Sequence, residues 1–209
     1  MANKRNQTLG EELANAISHG TGALLSIIGM ILMIIKAKTA AAIVGVVIFG
    51  TTAIILYVMS TLYHSFRSES TTKKVFHRFD HSSIYLLIGG TYLPIYLIVF
   101  KYPINIVYIA IQWAVIITGI TLKGAQFKKF KTIHFILYII LGWSGIVVFR
   151  PIWQTSRAAF YWILAGGISY TIGTIFYGLS KYKYNHFVWH LFVLAGTILH
   201  FFAIYLNLL

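Results

Sequence analysis

His186-Phe187-Val188-Trp189-His190 opens a run that continues to Leu209 without one Asp, Glu, Lys or Arg. About 20 such residues suffice for a helix to cross a bilayer, so the stretch predicts a membrane span. On that helix His186 and His190 stand at i and i+4, on one face and one turn apart. Neutral imidazole is the commonest protein metal ligand. Polar side chains within a bilayer are expensive and mark function. The pair therefore asks for a third ligand.

The rest of the chain repeats the pattern. Apolar segments of span length run near Ile17–Ile35, Ala40–Tyr63, Ser82–Phe100, Asn105–Leu122, Ile133–Phe149, Ala158–Leu179 and Phe187–Leu209. Charged residues make up 10% of the 209, against roughly 25% in a soluble domain, and the mean hydropathy is +0.78. These figures predict an all-α integral membrane protein, a seven-helix bundle forming one domain over 1–209. The net charge of +13 falls in short loops between apolar runs, so it is not a nucleic-acid footprint. The chain has no cysteine, which excludes disulfides, thiolate metal sites and cysteine catalysis. The residues before Ile17 are polar, and the apolar run that starts there recurs in kind along the chain, so that run reads as a retained span, not a cleaved signal. No internal repeat is visible, which weighs against a duplicated transporter fold.

Basic residues set the expected orientation. Lys4, Arg5, Arg67, Lys73, Lys74, Arg78, Lys123, Lys128, Lys129, Lys131, Lys181 and Lys183 fall on one side. Lys36, Lys38, Lys101, Arg150 and Arg157 fall on the other. The bias predicts a cytoplasmic N-terminus and a C-terminus outside. Glu12, Asn15 and His19 lie at i, i+3 and i+7, a polar stripe expected on a short interfacial helix near 9–19. Ala165, Ser169 and Gly173 repeat at helix-packing spacing, and Gly89-Gly90 allow close packing one turn before Pro94.

Topology sorts the histidines. The second span ends with Ser60-Thr61-Leu62-Tyr63-His64 and the third begins with His77-Arg78-Phe79-Asp80-His81, both at the face where His186 and His190 lie. His64, Asp80, His186 and His190 thus share one depth on three helices. Three histidines plus a water suit tetrahedral zinc with an open position, with Asp80 as an inner or outer ligand. Iron, cobalt or manganese also accept such a site. Ser60 lies on the His64 face about 6 Å deeper. The blander readings are a packing role for Ser60 and a helix N-cap for Asp80. They also make His77 and His134 interfacial anchors, and turn His81 away from Asp80 toward a neighbour. His200 lies about 15 Å beyond His190, too far to share its metal. Haem between His186 and His200 lacks an opposing histidine at the deeper level.

Ser60-x-x-x-His64, Asp80 sixteen residues on, and His186-x-x-x-His190 in the last span together resemble the hemolysin III family. That family is the bacterial branch of the progestin and adipoQ receptor family and is related to alkaline ceramidases. Glu11 to Gly20, Phe79 to Tyr85, Gly90 to Pro94 and Trp189 to Val193 carry the same resemblance, which covers essentially the whole chain. It implies seven helices and one zinc per chain held by His64, His186 and His190 with a bound water. It also implies Asp80 beside that water and Ser60 in the same cluster. Receptor members are credited with lipid amide hydrolysis, and bacterial members carry a name from lytic activity.

The leading expectation is a zinc-dependent hydrolase of a lipid amide or ester in the bacterial plasma membrane. Asp80 would be its general base, Ser60 a donor to the substrate carbonyl, and a membrane lipid its partner. The alternatives are a pore-forming protein, for which a continuous polar lining is missing, and a lipid-homeostasis factor with structural zinc. Ion transport is disfavoured by the one-sided cluster. Nothing in the sequence fixes an oligomeric state.

Overall fold

The computed structural model describes residues 6–125, 131–179 and 181–209, with the backbone alone of Gly124, Ala125 and Lys131. Lys4, Arg5, Lys128 and Lys129, used above for orientation, lie outside the described residues. The helices are α1 (Leu9–Lys36), α2 (Ala40–Ser65), α3 (Thr71–Val99), α4 (Ile104–Ala125), α5 (Lys131–Gly142), α6 (Phe149–Thr155), α7 (Arg157–Gly178) and α8 (Asn185–Asn207). A 3-10 segment, Ser144–Val148, joins α5 to α6. Among the described residues there is no strand. Seven stretches are long and apolar enough to cross a membrane, with α5, the 3-10 segment and α6 counting as one. The chain is an all-α seven-span membrane bundle.

The bundle is apolar outside as well as inside. Ile28, Ile35, Ile111 and Ile140 stand exposed on its surface, where lipid replaces water as the solvent. Polar groups are turned inward: Asn15, Ser60 and Ser83 are buried beside Tyr57 and Tyr85. This inversion follows from a bilayer core that cannot hydrogen-bond a stray donor or acceptor.

The helix ends are set by local chemistry. Thr8 caps α1 in a reciprocal capping box with Glu11, satisfying two otherwise orphan donors. Glu11 also accepts the backbone N–H of Tyr184 at 2.9 Å, which ties the start of α1 to the start of α8. α1 is one unbroken helix from Leu9 to Lys36, so the expected interfacial stretch and the first span are continuous. Ser70 caps α3, which places Asp80 inside that helix and removes its reading as an N-cap.

Close packing brings α2 against α3. A Cβ on Gly90 would collide with Thr52 Oγ1, and one on Gly45 would stand 2.6 Å from Pro94 Cα. α7 and α8 meet through the small residues expected there: Ser169 Oγ donates to the Phe192 carbonyl at 2.9 Å.

The break in the fifth span was not expected from its continuous apolar run. The Tyr92 hydroxyl donates to the Gly142 carbonyl and accepts the Gly145 N–H at 3.1 Å. Gln112 Nε2 donates to Ser144 Oγ at 3.0 Å, and Trp143 Nε1 donates to Thr171 Oγ1 at 3.1 Å. Non-helical backbone at membrane depth persists where neighbours satisfy it in this way.

Candidate metal centre

α2 delivers His64 in its last turn, and α8 delivers His186 and His190 in its first two turns. One ring nitrogen from each of the three lies within 4.8 Å of the others. His64 and His190 are buried, and His186 is half-buried. The Nε2 atoms of His186 and His190 are 3.2 Å apart. Two nitrogens bound to one tetrahedral zinc at about 2.0–2.1 Å would stand roughly 3.3 Å apart. The i, i+4 pair is therefore already at ligand spacing, with a His64 nitrogen within 4.8 Å of both.

The other ring nitrogens show which atoms are left for a ligand role. His190 Nδ1 lies 3.3 Å from the Asn15 carbonyl, which can only accept, and 3.4 Å from Ser18 Oγ. That leaves Nε2 with the lone pair. His64 Nδ1 donates to Glu12 Oε2 at 2.7 Å, and His64 Nε2 is buried with no partner. Lys73 Nζ, itself buried, meets the other Glu12 oxygen at 2.8 Å. A carboxylate on the far nitrogen of an imidazole fixes its tautomer and raises its basicity, the usual outer support of a metal-ligating histidine.

Orphaned polar atoms converge on this point. Asn15 Oδ1, both nitrogens of His19, Ser60 Oγ and His64 Nε2 are buried without a hydrogen-bond partner. Buried polar groups are nearly always paired, and such a group in excess points to an ion or ordered water. The His19 ring stacks on His190 at 3.5 Å between centroids. The donor set is all imidazole and carboxylate, which suits zinc and related divalent ions. The residues present fit a metal.

Asp80 lies in the third turn of α3 and lines the same cavity as His19, His186 and His190. Ser60 sits close to the Asp80 carboxylate, although its hydroxyl completes no hydrogen bond. His81 corrects its expected orientation: its Nδ1 approaches Asp80 Oδ2 at 3.4 Å. His134 is corrected too. It is buried and bonded to the Tyr85 hydroxyl at 2.8 Å, so it is no interfacial anchor. All five singled-out residues, Ser60, His64, Asp80, His186 and His190, thus sit at one end of the bundle.

The missed contribution is that of α1. Glu12, Asn15 and His19 face the cluster, not a membrane surface. Their i, i+3, i+7 stripe was the available signal. One stripe on a helix start reads equally well as interfacial until its neighbours are known.

From the polar end a cavity of about 120 Å³ runs into the bundle. Its walls include Leu87 and Ile88 of α3, Ile139 of α5, Ile163 of α7 and Val193 of α8, and His200 lines it farther along α8 than Val193.

The family model described as "Haemolysin-III related" matches residues 7–201. "Hemolysin-3" of Bacillus cereus is 42% identical over 202 residues, covering 95% of this chain and 92% of the relative. "Hemolysin-3 homolog" of Bacillus subtilis (strain 168) is 39% identical, covering 94% of each chain. The human "Monocyte to macrophage differentiation factor" is more distant, at 24% identity over 95% of this chain and 84% of its own length. With nearly the whole chain matched by the family model and by bacterial relatives at these identities, this seven-span protein belongs to the haemolysin-III-related family.

Proposed function

We propose that the chain is a zinc-dependent hydrolase of a lipid amide or ester, working in the bacterial plasma membrane. The observation that carries this reading is the orphaned Nε2 of His64. It lies in a three-histidine cluster whose partners His186 and His190 line the head of an apolar cavity shared with Asp80.

His64, His186 and His190 would hold the zinc, one ion per chain. When bound, zinc supplies Lewis acidity and water made acidic enough to attack near neutral pH. Glu12 and the Asn15 carbonyl fix the tautomers of His64 and His190, so their free nitrogens stay turned to one point. Asp80 accepts the proton of the attacking water and returns it to the departing amine or alcohol. Ser60 donates its unused hydroxyl to the substrate carbonyl oxygen as charge develops there. Water adds to the carbonyl carbon, the C–N or C–O bond breaks, and a fatty acid leaves with an amine or alcohol. The acyl chain lies along Leu87, Ile88 and Val193.

The test is turnover of a broad panel of ceramides, phospholipids and other acyl lipids by purified protein. Wild type is expected to release fatty acid. Asp80→Asn should lose at least about a hundredfold of that rate while keeping its metal. Absence of turnover across the panel by metal-loaded wild type would contradict the enzyme.

A second reading is a lipid-homeostasis factor in which the metal is structural. The Lys73–Glu12–His64 chain favours it, because it joins α3, α1 and α2 around the same point. It predicts that His64→Ala lowers the melting temperature while Asp80→Asn leaves function intact. The pore reading has no such support, because the cavity beyond its head is walled mainly by apolar side chains, without a continuous polar lining.

A further inference from the structure

His200 lines the same cavity as the cluster but sits ten residues along α8 from His190, about 15 Å along the helix axis. Its ring is held on several sides. Nδ1 pairs with the Gly196 carbonyl at 2.8 Å, and a carbonyl only accepts, so Nδ1 carries the hydrogen. The ring lies on Tyr170 at 5.5 Å and 24°. The Tyr170 hydroxyl is 2.9 Å from Thr197 Oγ1, which also accepts from the Tyr57 hydroxyl at 2.7 Å. Gly166 leaves room for the ring: a Cβ there would collide with His200 Cε1 and Nδ1. With Nδ1 committed as donor, Nε2 is an acceptor fixed in place.

Several other polar groups along the cavity wall are already used. The hydroxyls of Thr91, Thr171 and Thr174 each donate to a backbone carbonyl of their own helix, at 2.7, 2.8 and 2.7 Å. The Tyr92 hydroxyl serves Gly142 and Gly145. His200 Nε2 has no donor opposite it among the described residues. An acceptor that lines an apolar cavity gains a partner when a ligand brings a donor to it.

We propose that His200 is a second polar anchor of the cavity and selects an acyl chain that carries a hydroxyl about 15 Å from its carbonyl. The hydroxyl donates to Nε2 while the carbonyl rests at the histidine cluster. The position of the carbonyl rests on the hydrolase reading; the hydroxyl contact does not depend on turnover.

Equilibrium binding to the purified protein in nanodiscs tests this with three fatty acids: stearate, 2-hydroxystearate and 12-hydroxystearate. Wild type should bind 12-hydroxystearate about tenfold more tightly than the other two, the order of one hydrogen bond to a buried group. His200→Phe keeps a ring on Tyr170 and should erase the preference, leaving stearate affinity within about twofold. Equal binding of all three acids by wild type would overturn the proposal, and so would a preference that survives in a folded His200→Phe. The wild-type comparison stands even if that variant fails to fold. Preference without turnover on any lipid would sink the hydrolase reading alone; turnover without preference would sink this one alone.

Discussion

Glu12 contributes most by what it holds. Its two carboxylate oxygens meet His64 Nδ1 at 2.7 Å and Lys73 Nζ at 2.8 Å. Replacing it with Gln keeps the shape and removes the charge, so His64 loses both its fixed tautomer and its added basicity. Loss of such an outer partner weakens metal binding by about 10–100-fold. Chelator competition on Glu12→Gln should show that shift at a temperature where the variant is folded, with a lowered melting temperature from the buried Lys73 left without its carboxylate. Unchanged affinity would remove Glu12 from the site. At this scale the sequence showed His64, Asp80, His186 and His190, because i, i+4 spacing and matching depth are visible in a string of letters. It did not show Glu12 and His19 as part of the centre. Their role depends on how α1 lies against α2 and α8, and one polar stripe fits two environments equally well.

The interrupted fifth span is the element most shaped by side chains of its neighbours. Tyr92 of α3 satisfies both the Gly142 carbonyl and the Gly145 N–H across the break. Tyr92→Phe leaves two backbone polar groups at membrane depth without partners and should destabilise the fold by about 1–3 kcal/mol. Thermal unfolding in detergent would read this as a lowered midpoint, and hydrogen exchange would quicken first at Gly145. Unchanged protection at Gly145 would mean the break is satisfied without Tyr92. Span positions were legible because about 20 apolar residues between basic loops leave little choice of structure. The break was not, because Gly142 and Gly145 sit in a run with no polar interruption beyond Ser144. The deciding partner, Tyr92, is remote in sequence.

At the scale of the whole molecule the charge bias sets which way the site faces. The basic residues predict that the α2–α3 connection is cytoplasmic and the α3–α4 connection is outside. The chain has no native cysteine, so single cysteines report cleanly. In intact cells a membrane-impermeant maleimide should label Lys101→Cys and spare Ser68→Cys until the membrane is opened. The reverse pattern would place the histidine cluster on the outer face.

The account depends most on a metal at that end of the bundle. Elemental analysis of the purified, folded protein measures it directly, with His64→Ala and His186→Ala beside wild type. The account predicts one zinc per chain in wild type and its loss from both variants, which would join α2 and α8 at one ion. Folded wild type that carries no transition metal, or zinc that stays in full in either variant, would contradict it.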